Sequence, residues 1–336
     1  MPSIDKATDN GELKQRRPEL ELVCVTGAGG FIGSWVVKEL LLRGYRVRGT
    51  ARDPADQKNA HLLALEGAEE RLTLCRADVI DYDGLRAAFR GCRGVFHDLV
   101  PVAVEGTRNV IRAAADVGVR RVVFTSSYGA VHMDPNRRPD AVLHETLWSD
   151  YDYFKNTGNL YCCAKMMAEI TATEEAAKTG RELAVVVPSM TMGPMLQQSL
   201  NFSSSHVAHY LTGAKLTYPN AVAAYTDVRD VARAHVLVYE HPDARGRYLC
   251  IGTVLRRTHF LQLLGDLFPR YNITAKCEED VKPMAKPYKF SNQRLRDLGL
   301  EFTPLKESLY ETVTCLQKKG HLPLPIVPIA QKRAYL

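Results

Sequence analysis

The sequence contains no apolar run long enough to cross a bilayer, and its first 19 residues are polar and charged. A membrane helix needs about 20 mostly apolar residues, and a secretory signal needs an apolar core. We therefore expect no membrane partner and no signal peptide. The 8 cysteines lack the paired spacing of a metal site, so we expect no metal and a reduced, cytoplasmic protein. No basic helix with interleaved aromatic residues occurs, so nothing indicates a nucleic-acid partner.

The bulk composition is that of an ordinary globular protein. Of the 336 residues, 46% are hydrophobic and 24% are charged, which supplies enough apolar material for a sizeable core. The net charge of +6 is spread along the chain. A solvated surface explains this charge better than attraction for a polyphosphorylated small molecule. The length predicts one large or two modest domains, and no internal repeat divides the sequence.

The most informative stretch is residues 22–33, where an apolar run stops at a cluster of glycines and a helical pattern begins at once. A buried parallel strand turns in this way into a helix whose N-terminus faces an anion. Gly27 allows the sharp turn, Gly30 the approach of a pyrophosphate and Gly33 close helix packing. A tight turn without a ligand is the alternative, but a second strand at residues 45–52 favours a dinucleotide site. The predicted cofactor loop comprises Gly27, Gly30, Phe31, Ile32 and Gly33.

The end of the second strand indicates which nicotinamide cofactor is bound. An NAD site usually has an acidic residue here for the ribose 2′-hydroxyl, whereas this chain has Arg52, with Lys58 six positions on. Two cations suit a 2′-phosphate, so we predict NADP. Asp53 follows immediately. If its carboxylate rather than Arg52 points at the ribose, the preference could weaken or reverse.

A third strand at residues 72–78 ends in Asp78, which Val79 follows. At the carboxyl end of this strand Asp78 and Val79 are placed to meet the adenine. An N-cap or turn aspartate that opens a helix at residues 81–90 is an equally good interpretation of Asp78.

Strands and helices alternate through residues 20–190, which predicts an NADP-binding Rossmann-type domain with a doubly wound parallel sheet, the α/β class. Residues 223–252 return to this pattern and are expected to rejoin the domain. A smaller, mostly helical substrate-binding region is predicted from residues 191–222 and 253–322. Three stretches lack a regular pattern, and the two terminal ones are expected to be disordered: residues 1–19, 128–156 and 323–336.

Tyr161 and Lys165 are four residues apart on a predicted helix, so their side chains share one face. A nearby ammonium, together with an oxidised nicotinamide ring, is expected to lower the pKa of the phenol from its ordinary value of about 10. The phenol could then transfer a proton. Ser126 and Ser127 end a neighbouring strand, and a hydroxyl there can stabilise an oxyanion. The Y-x-x-x-K spacing alone is also that of a helix-surface pair, but below a glycine turn the combination is specific.

These motifs resemble the extended short-chain dehydrogenases/reductases and, within them, the plant cinnamoyl-CoA reductases, with dihydroflavonol reductases as more distant relatives. The resemblance runs from Val25 to about Pro323. Besides the glycine loop, the matching segments are RGT at 48–50, NAHL at 59–62, TSS at 125–127, MDPNR at 133–137, WSD at 148–150, YTDVRDVA at 225–232 and PYKFSN at 287–292.

The resemblance implies a catalytic set of Ser127, Tyr161 and Lys165, with the last two also contacting the cofactor. It assigns Arg52 and Lys58 to the 2′-phosphate and Pro188 to the nicotinamide carboxamide. His206 and Arg257 match positions that bind a phenylpropenyl-CoA substrate, and His209 stands where relatives carry a lysine at a third such position. An N-cap histidine and a surface arginine are the simpler interpretations of His206 and Arg257.

The function implied is NADPH-dependent reduction of hydroxycinnamoyl-CoA thioesters to aldehydes and CoA, in phenylpropanoid and monolignol biosynthesis, by a monomer or weak homodimer. One feature departs from the family: the loop after His97 is shorter by about ten residues and begins with Asp98. This loop borders the predicted nicotinamide site. A reductase of a free carbonyl, such as a dihydroflavonol or an aldehyde, is therefore one alternative. A weakly active cofactor-binding protein that acts through partners is the other.

Overall fold

The computed structural model describes residues 21–98, 103–138, 140–278 and 286–324. The strands are β1 (Leu22–Val25), β2 (Arg46–Ala51), β3 (Leu72–Arg76), β4 (Gly94–His97), β5 (Arg121–Thr125), β6 (Val142–Leu143), β7 (Glu182–Pro188), β8 (Met190–Met192), β9 (Thr217–Tyr218), β10 (Val222–Asp227), β11 (Gly246–Cys250), β12 (Thr253–Arg256), β13 (Lys276–Cys277) and β14 (Lys289–Phe290). The helices are α1 (Phe31–Leu42), α2 (Ala60–Leu63), α3 (Ala68–Arg71), α4 (Tyr82–Phe89), α5 (Ala103–Asp116), α6 (Gly129–His132), α7 (Tyr151–Thr157), α8 (Leu160–Thr179), α9 (Phe202–Leu211), α10 (Val228–Glu240), α11 (Arg257–Leu267), α12 (Gln293–Asp297) and α13 (Leu305–Lys318).

Seven strands form one sheet in the order β11-β7-β5-β4-β1-β2-β3, and every neighbouring pair is parallel. The strand order reverses between β1 and β4, which leaves a crevice beyond their carboxyl ends where such sheets bind ligands. The prediction of a doubly wound α/β sheet is confirmed. The loops that follow β1 and β4 carry Gly27 and Asp98, so both lie at this crevice.

Helices cover both faces of the sheet, as the nearly continuous apolar character of its central strands requires. One core packs α1 and α10 on the sheet through residues such as Val37, Leu40 and Val231. The other packs α4, α5 and α8 through residues such as Phe89 and Ile111. The two cores hold the strand ends in place, and the strand ends carry the site.

A separate core lies beyond β7. Helices α9, α11 and α13 pack around a three-stranded sheet of order β12-β10-β8, with Tyr210, Tyr225 and Phe260 fully buried between them. Strand β11 follows β10 and α10 in the chain and joins the main sheet beside β7. The two segments expected to be disordered, residues 1–19 and 323–336, lie outside the described residues, apart from residues 323–324.

Residues 128–156 are not the loop that their composition indicates, because α6, β6 and α7 lie within them. Helix α7 forms because Asp150 caps it, accepting a hydrogen bond from the Tyr153 amide at 2.8 Å, and Gly158 ends it at φ 67°. Gly158 therefore separates α7 from α8, which begins at Leu160. Within the described ranges, no helix is both long and apolar enough to span a bilayer. All 8 cysteines are free thiols, and 3 of them are buried.

Candidate active site

The glycine turn after β1 has the shape of a phosphate cradle. Gly27 has φ 62°, a conformation that favours glycine, and a Cβ on Gly33 would overlap the Gly27 carbonyl oxygen. Helix α1 begins at Phe31 with Gly30 as a cap that offers no side chain, and its first turn holds no acidic residue. No side chain of the cap residue therefore accepts a hydrogen bond from the first amides of α1. This surface fits the pyrophosphate of a dinucleotide.

Arg52 and Asp53, at the end of β2, differ in whether their side chains can meet a ligand. The Asp53 carboxylate accepts the Ala55 amide at 3.0 Å, which ties it into its own turn. Arg52 is exposed and makes no ion pair within the described part of the chain, whereas Lys58 pairs with Asp56 at 2.7 Å. Arg52 is therefore the side chain that a 2′-phosphate can engage without displacing a carboxylate.

Asp78 and Val79 lie in the turn after β3. The Asp78 carboxylate accepts the Ile80 amide at 3.2 Å, while the cap of α4 is Asp81, which accepts the Gly84 amide at 3.0 Å. Val79 is buried, and its carbonyl accepts a hydrogen bond from Asn109 at 3.1 Å. Asp78 is thus a turn residue at the carboxyl edge of the sheet, and not the N-cap.

Ser127, Tyr161 and Lys165 come together where β5 ends against α8. Tyr161 lies close enough to Ser127 for the serine to oppose the rise of the phenol's pKa, and the Ser127 hydroxyl oxygen accepts the Gly129 amide at 3.2 Å. Lys165 is 1% exposed and donates from Nζ to the Thr125 carbonyl at 2.6 Å, whereas Tyr161 is 50% exposed. The phenol can therefore contact a ligand in the crevice, whereas the ammonium is buried and held by the Thr125 carbonyl.

The electrostatics of Tyr161 differ from those predicted. The pKa of Tyr161 is raised to about 12, mainly by burial. The charge of Asp98 raises this pKa further, and Ser127 opposes the rise. The expectation that Lys165 lowers this pKa is wrong, because the ammonium faces Asp98, with Nζ 3.6 Å from Oδ1. Burial lowers the pKa of Lys165, and Asp98 opposes that shift. At neutral pH the phenol is therefore a proton donor.

A buried ion pair behind these residues was not found from the sequence. Ser126 donates to Glu169 at 2.5 Å, and Arg247 Nε lies 2.5 Å from the other oxygen of Glu169. Glu169 lies one turn beyond Lys165 on α8, and Arg247 is on β11. The i, i+4 spacing from Lys165 could have indicated Glu169, but nothing in the sequence pairs it with Arg247.

Two buried histidines also lie beneath the crevice. His97 contacts the Thr26 hydroxyl at 2.8 Å, and His235 contacts the Thr125 hydroxyl at 2.7 Å. Burial and then Lys165 lower the pKa of His97 to about 3, and burial lowers that of His235. Both rings are therefore neutral and brace the ends of β1 and β5. A narrow cleft between α1 and the strand ends is lined by Thr26, Ile32, Gly33, His97, Asp98, Thr125 and His235, among others.

Of the residues assigned to substrate binding, His206 and Arg257 contact each other, whereas His209 is exposed. Arg257 is only 7% exposed and contacts the His206 ring, and it donates to the Tyr225 hydroxyl at 2.9 Å. His206 lies in the middle of α9, whose cap is Asn201, so neither a cap histidine nor a surface arginine describes them. Burial and then Arg257 lower the pKa of His206 to about 3. His209 is exposed one turn further on.

Tyr128 lies between the Ser127–Tyr161–Lys165 group and the Arg257–His206 pair, a position that the sequence did not indicate. Its amide donates to the Pro188 carbonyl at 2.9 Å, which ties the end of β7 to the residue after Ser127. Burial raises the pKa of the Tyr128 phenol to about 12, Arg257 opposes that shift, and Tyr161 adds to it. Tyr128 thus lies within electrostatic range of both Tyr161 and Arg257.

A parallel sheet with a glycine cradle at its switch point and a Ser-Tyr-Lys set beside it defines a nicotinamide-dependent oxidoreductase. In agreement, residues 23–252 match the model of the NAD dependent epimerase/dehydratase family, and the chain belongs to this family. Within it the chain belongs to the cinnamoyl-CoA reductases. It is 78% identical to "Cinnamoyl-CoA reductase 1" of Oryza sativa subsp. japonica over 95% of this chain and 96% of that protein. The predicted family resemblance is confirmed.

Solved structures agree with the fold. Vestitone reductase from alfalfa (Medicago sativa) is 29% identical with a TM-score of 0.79, covering 90% of this chain and 99% of that one. Gre2 of Candida albicans, in complex with NADPH, is also 29% identical with a TM-score of 0.76, covering 89% of this chain and 99% of that one.

Proposed function

We propose that this chain is an NADPH-dependent reductase that converts hydroxycinnamoyl-CoA thioesters to hydroxycinnamaldehydes and CoA. The observation that carries the proposal is the meeting of Ser127, Tyr161 and Lys165 at the sheet edge beside the glycine cradle. It occurs in a chain 78% identical to a cinnamoyl-CoA reductase.

The cofactor is held by the cradle and by the edge of the sheet. Gly27, Gly30 and Gly33 allow the pyrophosphate to reach the amides of α1, and Phe31 and Ile32 form its first turn. Arg52 binds the 2′-phosphate with Lys58 beside it, Asp78 and Val79 border the adenine, and Pro188 lies at the nicotinamide carboxamide. A complex of the structural neighbour Gre2 with NADPH supports the choice of cofactor.

NADPH supplies the hydride when it is bound, and the residues of this chain act on the carbonyl oxygen. Ser127 and Tyr161 donate hydrogen bonds to that oxygen as negative charge develops on it. Because burial keeps Tyr161 protonated, its phenol can give up a proton there, which gives a hemithioacetal. Return of that proton to the phenolate lets the C–S bond break, so that the carbonyl re-forms as the aldehyde and the CoA thiolate leaves and takes up a proton as free CoA. Lys165 holds the ribose of the cofactor.

The substrate is bound by the region beyond β7. Arg257 is a buried cation, with Tyr210 and Phe260 centred 5.6 and 5.7 Å from its guanidinium carbon. Such a cation among aromatic rings suits a ligand that is both aromatic and polar. We assign His206 and Arg257 to the phenylpropenyl group and the exposed His209 to the approach of the CoA portion. In this division residues 20–190 and 223–252 bind the cofactor, and 191–222 and 253–322 bind the substrate. Strand β10 is the exception within 223–252, because it lies in the three-stranded sheet with β8 and β12 and its Tyr225 contacts Arg257.

The test is a substrate panel with purified, folded protein. NADPH consumption is measured with feruloyl-, p-coumaroyl- and caffeoyl-CoA, and in parallel with a dihydroflavonol and a free aldehyde. We expect turnover of at least one CoA thioester, with release of free CoA. Turnover of a free carbonyl compound alone would mean that this compound, and not a CoA thioester, is the substrate. Tight NADPH binding without turnover of any compound would favour a cofactor-binding protein that acts through partners.

Replacing Arg52 by glutamine is expected to lower kcat/KM for NADPH by about 10- to 100-fold, because a charged hydrogen bond to the 2′-phosphate contributes about 1.5–3 kcal/mol. The value for NADH should stay within about twofold, since NADH lacks that phosphate. Steady-state kinetics with both cofactors measure the ratio. Arg46→Gln, at the opposite end of β2, is the matched control. An equal loss with both cofactors would contradict the assignment.

A further inference from the structure

Asp98 lies where the cofactor cleft meets the catalytic lysine. Its carboxylate Oδ1 is 3.6 Å from Lys165 Nζ, and its backbone carbonyl oxygen lies 3.1 Å from where a Cβ would stand on Gly27. The lysine side chain is 1% exposed and that of Asp98 is 29% exposed. Asp98 therefore borders the glycine turn through its backbone and Lys165 through its carboxylate, and the carboxylate is the more exposed partner of the ion pair.

The titratable groups among the described residues that interact with this ion pair are His97 beside Asp98, His235 on α10, and Tyr161 and Glu169 on α8. Both histidines are buried with lowered pKa values, so they are neutral. The two carboxylates whose charges act on Lys165 are Asp98 and Glu169, and Glu169 is engaged by Arg247. Asp98 is thus the partner that a ligand in the cleft can displace.

We propose that Asp98 is a positioning residue, which acts as the counter-ion of the Lys165 ammonium. The ion pair must break before Lys165 can bind the cofactor ribose, and Asp98 therefore weakens cofactor binding. The inference rests on the proposed function, in which Lys165 holds the ribose. Two physical effects act in the same direction. The ribose competes with the carboxylate for the ammonium, and the pyrophosphate in the cradle is repelled by a second negative charge.

The experiment measures NADP+ and NADPH dissociation constants by titration calorimetry for the wild type and three variants. Asp98→Asn removes the charge and keeps the shape, and Asp98→Glu keeps the charge. Asp140→Asn removes an exposed carboxylate that pairs with Arg138. We expect Asp98→Asn to bind both cofactors about fivefold more tightly near neutral pH. Asp98→Glu and Asp140→Asn should stay within about twofold of the wild type.

A titration over pH supplies a readout that a merely structural role would not move. Asp98 opposes the lowering of the Lys165 pKa by burial, so its removal lowers that pKa further. The ammonium must be protonated to bind the ribose. The gain in affinity of Asp98→Asn should therefore shrink as pH rises, and affinity should be lost at a lower pH than in the wild type.

Two results would overturn the inference. Unchanged affinity in Asp98→Asn would show that the ion pair does not compete with the cofactor. Weaker binding would show that Asp98 is itself a ligand of the ribose. Failure of the proposed function is distinguishable from either result, because it appears as the absence of cofactor binding in every variant or as binding without thioester reduction in the wild type.

Discussion

Tyr161→Phe is expected to lower kcat for the reduction of a CoA thioester by about a thousandfold. The variant removes the hydroxyl that lies near Ser127 on a half-exposed residue, and it leaves the ring in place. General acid catalysis contributes about 10²- to 10⁴-fold, and a single donor to an oxyanion contributes about as much. The NADPH dissociation constant should change by less than about fivefold, since one neutral hydrogen bond is lost.

The matched control is Tyr151→Phe, which removes a phenol hydroxyl from the exposed first turn of α7. Its kcat is expected to match that of the wild type within about twofold. Single-turnover measurements at saturating NADPH separate the chemical step from product release. Retention of more than about a tenth of the wild-type rate in Tyr161→Phe would remove Tyr161 from the catalytic role.

The raised pKa of Tyr161 also fixes the sign of its pH dependence. A general acid is active while it is protonated, and a phenol with a pKa of about 12 stays protonated through the neutral range. The titration of Tyr161 should therefore not lower the rate of reduction as pH rises from about 6 to about 9. The lowered pKa that the sequence predicts would give the opposite trend, a rate of reduction that falls as pH rises through that pKa.

The parts of this molecule that depend on local pattern could be predicted from the sequence. The strand that ends at Gly27 and the helix that begins at Phe31 follow from apolar spacing and glycine, and Tyr161 and Lys165 share a helix face because of their spacing. Helix α7 was missed because its cap, Asp150, and its terminator, Gly158, lie in a polar segment with only Phe154 buried.

The electrostatic environment of the site could not be predicted, because it comes from residues that are distant in the chain. Asp98, which follows β4, contacts Lys165 on α8, and His235 contacts Thr125 from 110 residues away. Sequence periodicity shows that such residues are buried or lie at strand ends. It does not show which of them meet, because strand order and helix packing decide that.

The Arg247–Glu169 ion pair is a non-local contact whose loss should strongly affect stability. The side chain of Glu169 is 0% exposed and that of Arg247 is 10% exposed. Arg247 also donates to the carbonyls of Leu147 at 2.5 Å and Glu145 at 3.0 Å, and its guanidinium carbon lies 4.0 Å from the centre of the Trp148 ring. This arginine therefore joins β11, α8 and the segment before α7 near Ser126.

Arg247→Met is expected to lower the free energy of unfolding by about 3–5 kcal/mol, because it leaves a buried carboxylate without its counter-ion. Reversible urea denaturation measures the loss. Arg245→Met is the matched control: this arginine is two residues away, and its pair with Glu182 has side chains 49% and 29% exposed, so the loss should be at most about 1 kcal/mol. Adding Glu169→Gln to Arg247→Met should recover part of the stability, since the uncompensated charge is then gone.

The pH dependence of Arg247→Met provides the decisive test. Burial already raises the pKa of Glu169, and Arg247 opposes that shift, so removing Arg247 raises the pKa further. A carboxyl group whose pKa is raised in the folded state favours folding while it is protonated and disfavours it as pH rises through its titration. The deficit of Arg247→Met relative to the wild type should therefore shrink as pH falls toward about 5, whereas the deficit of Arg245→Met should not. A deficit that stays constant with pH would mean that the lost backbone contacts of Arg247, and not the buried charge of Glu169, determine the effect.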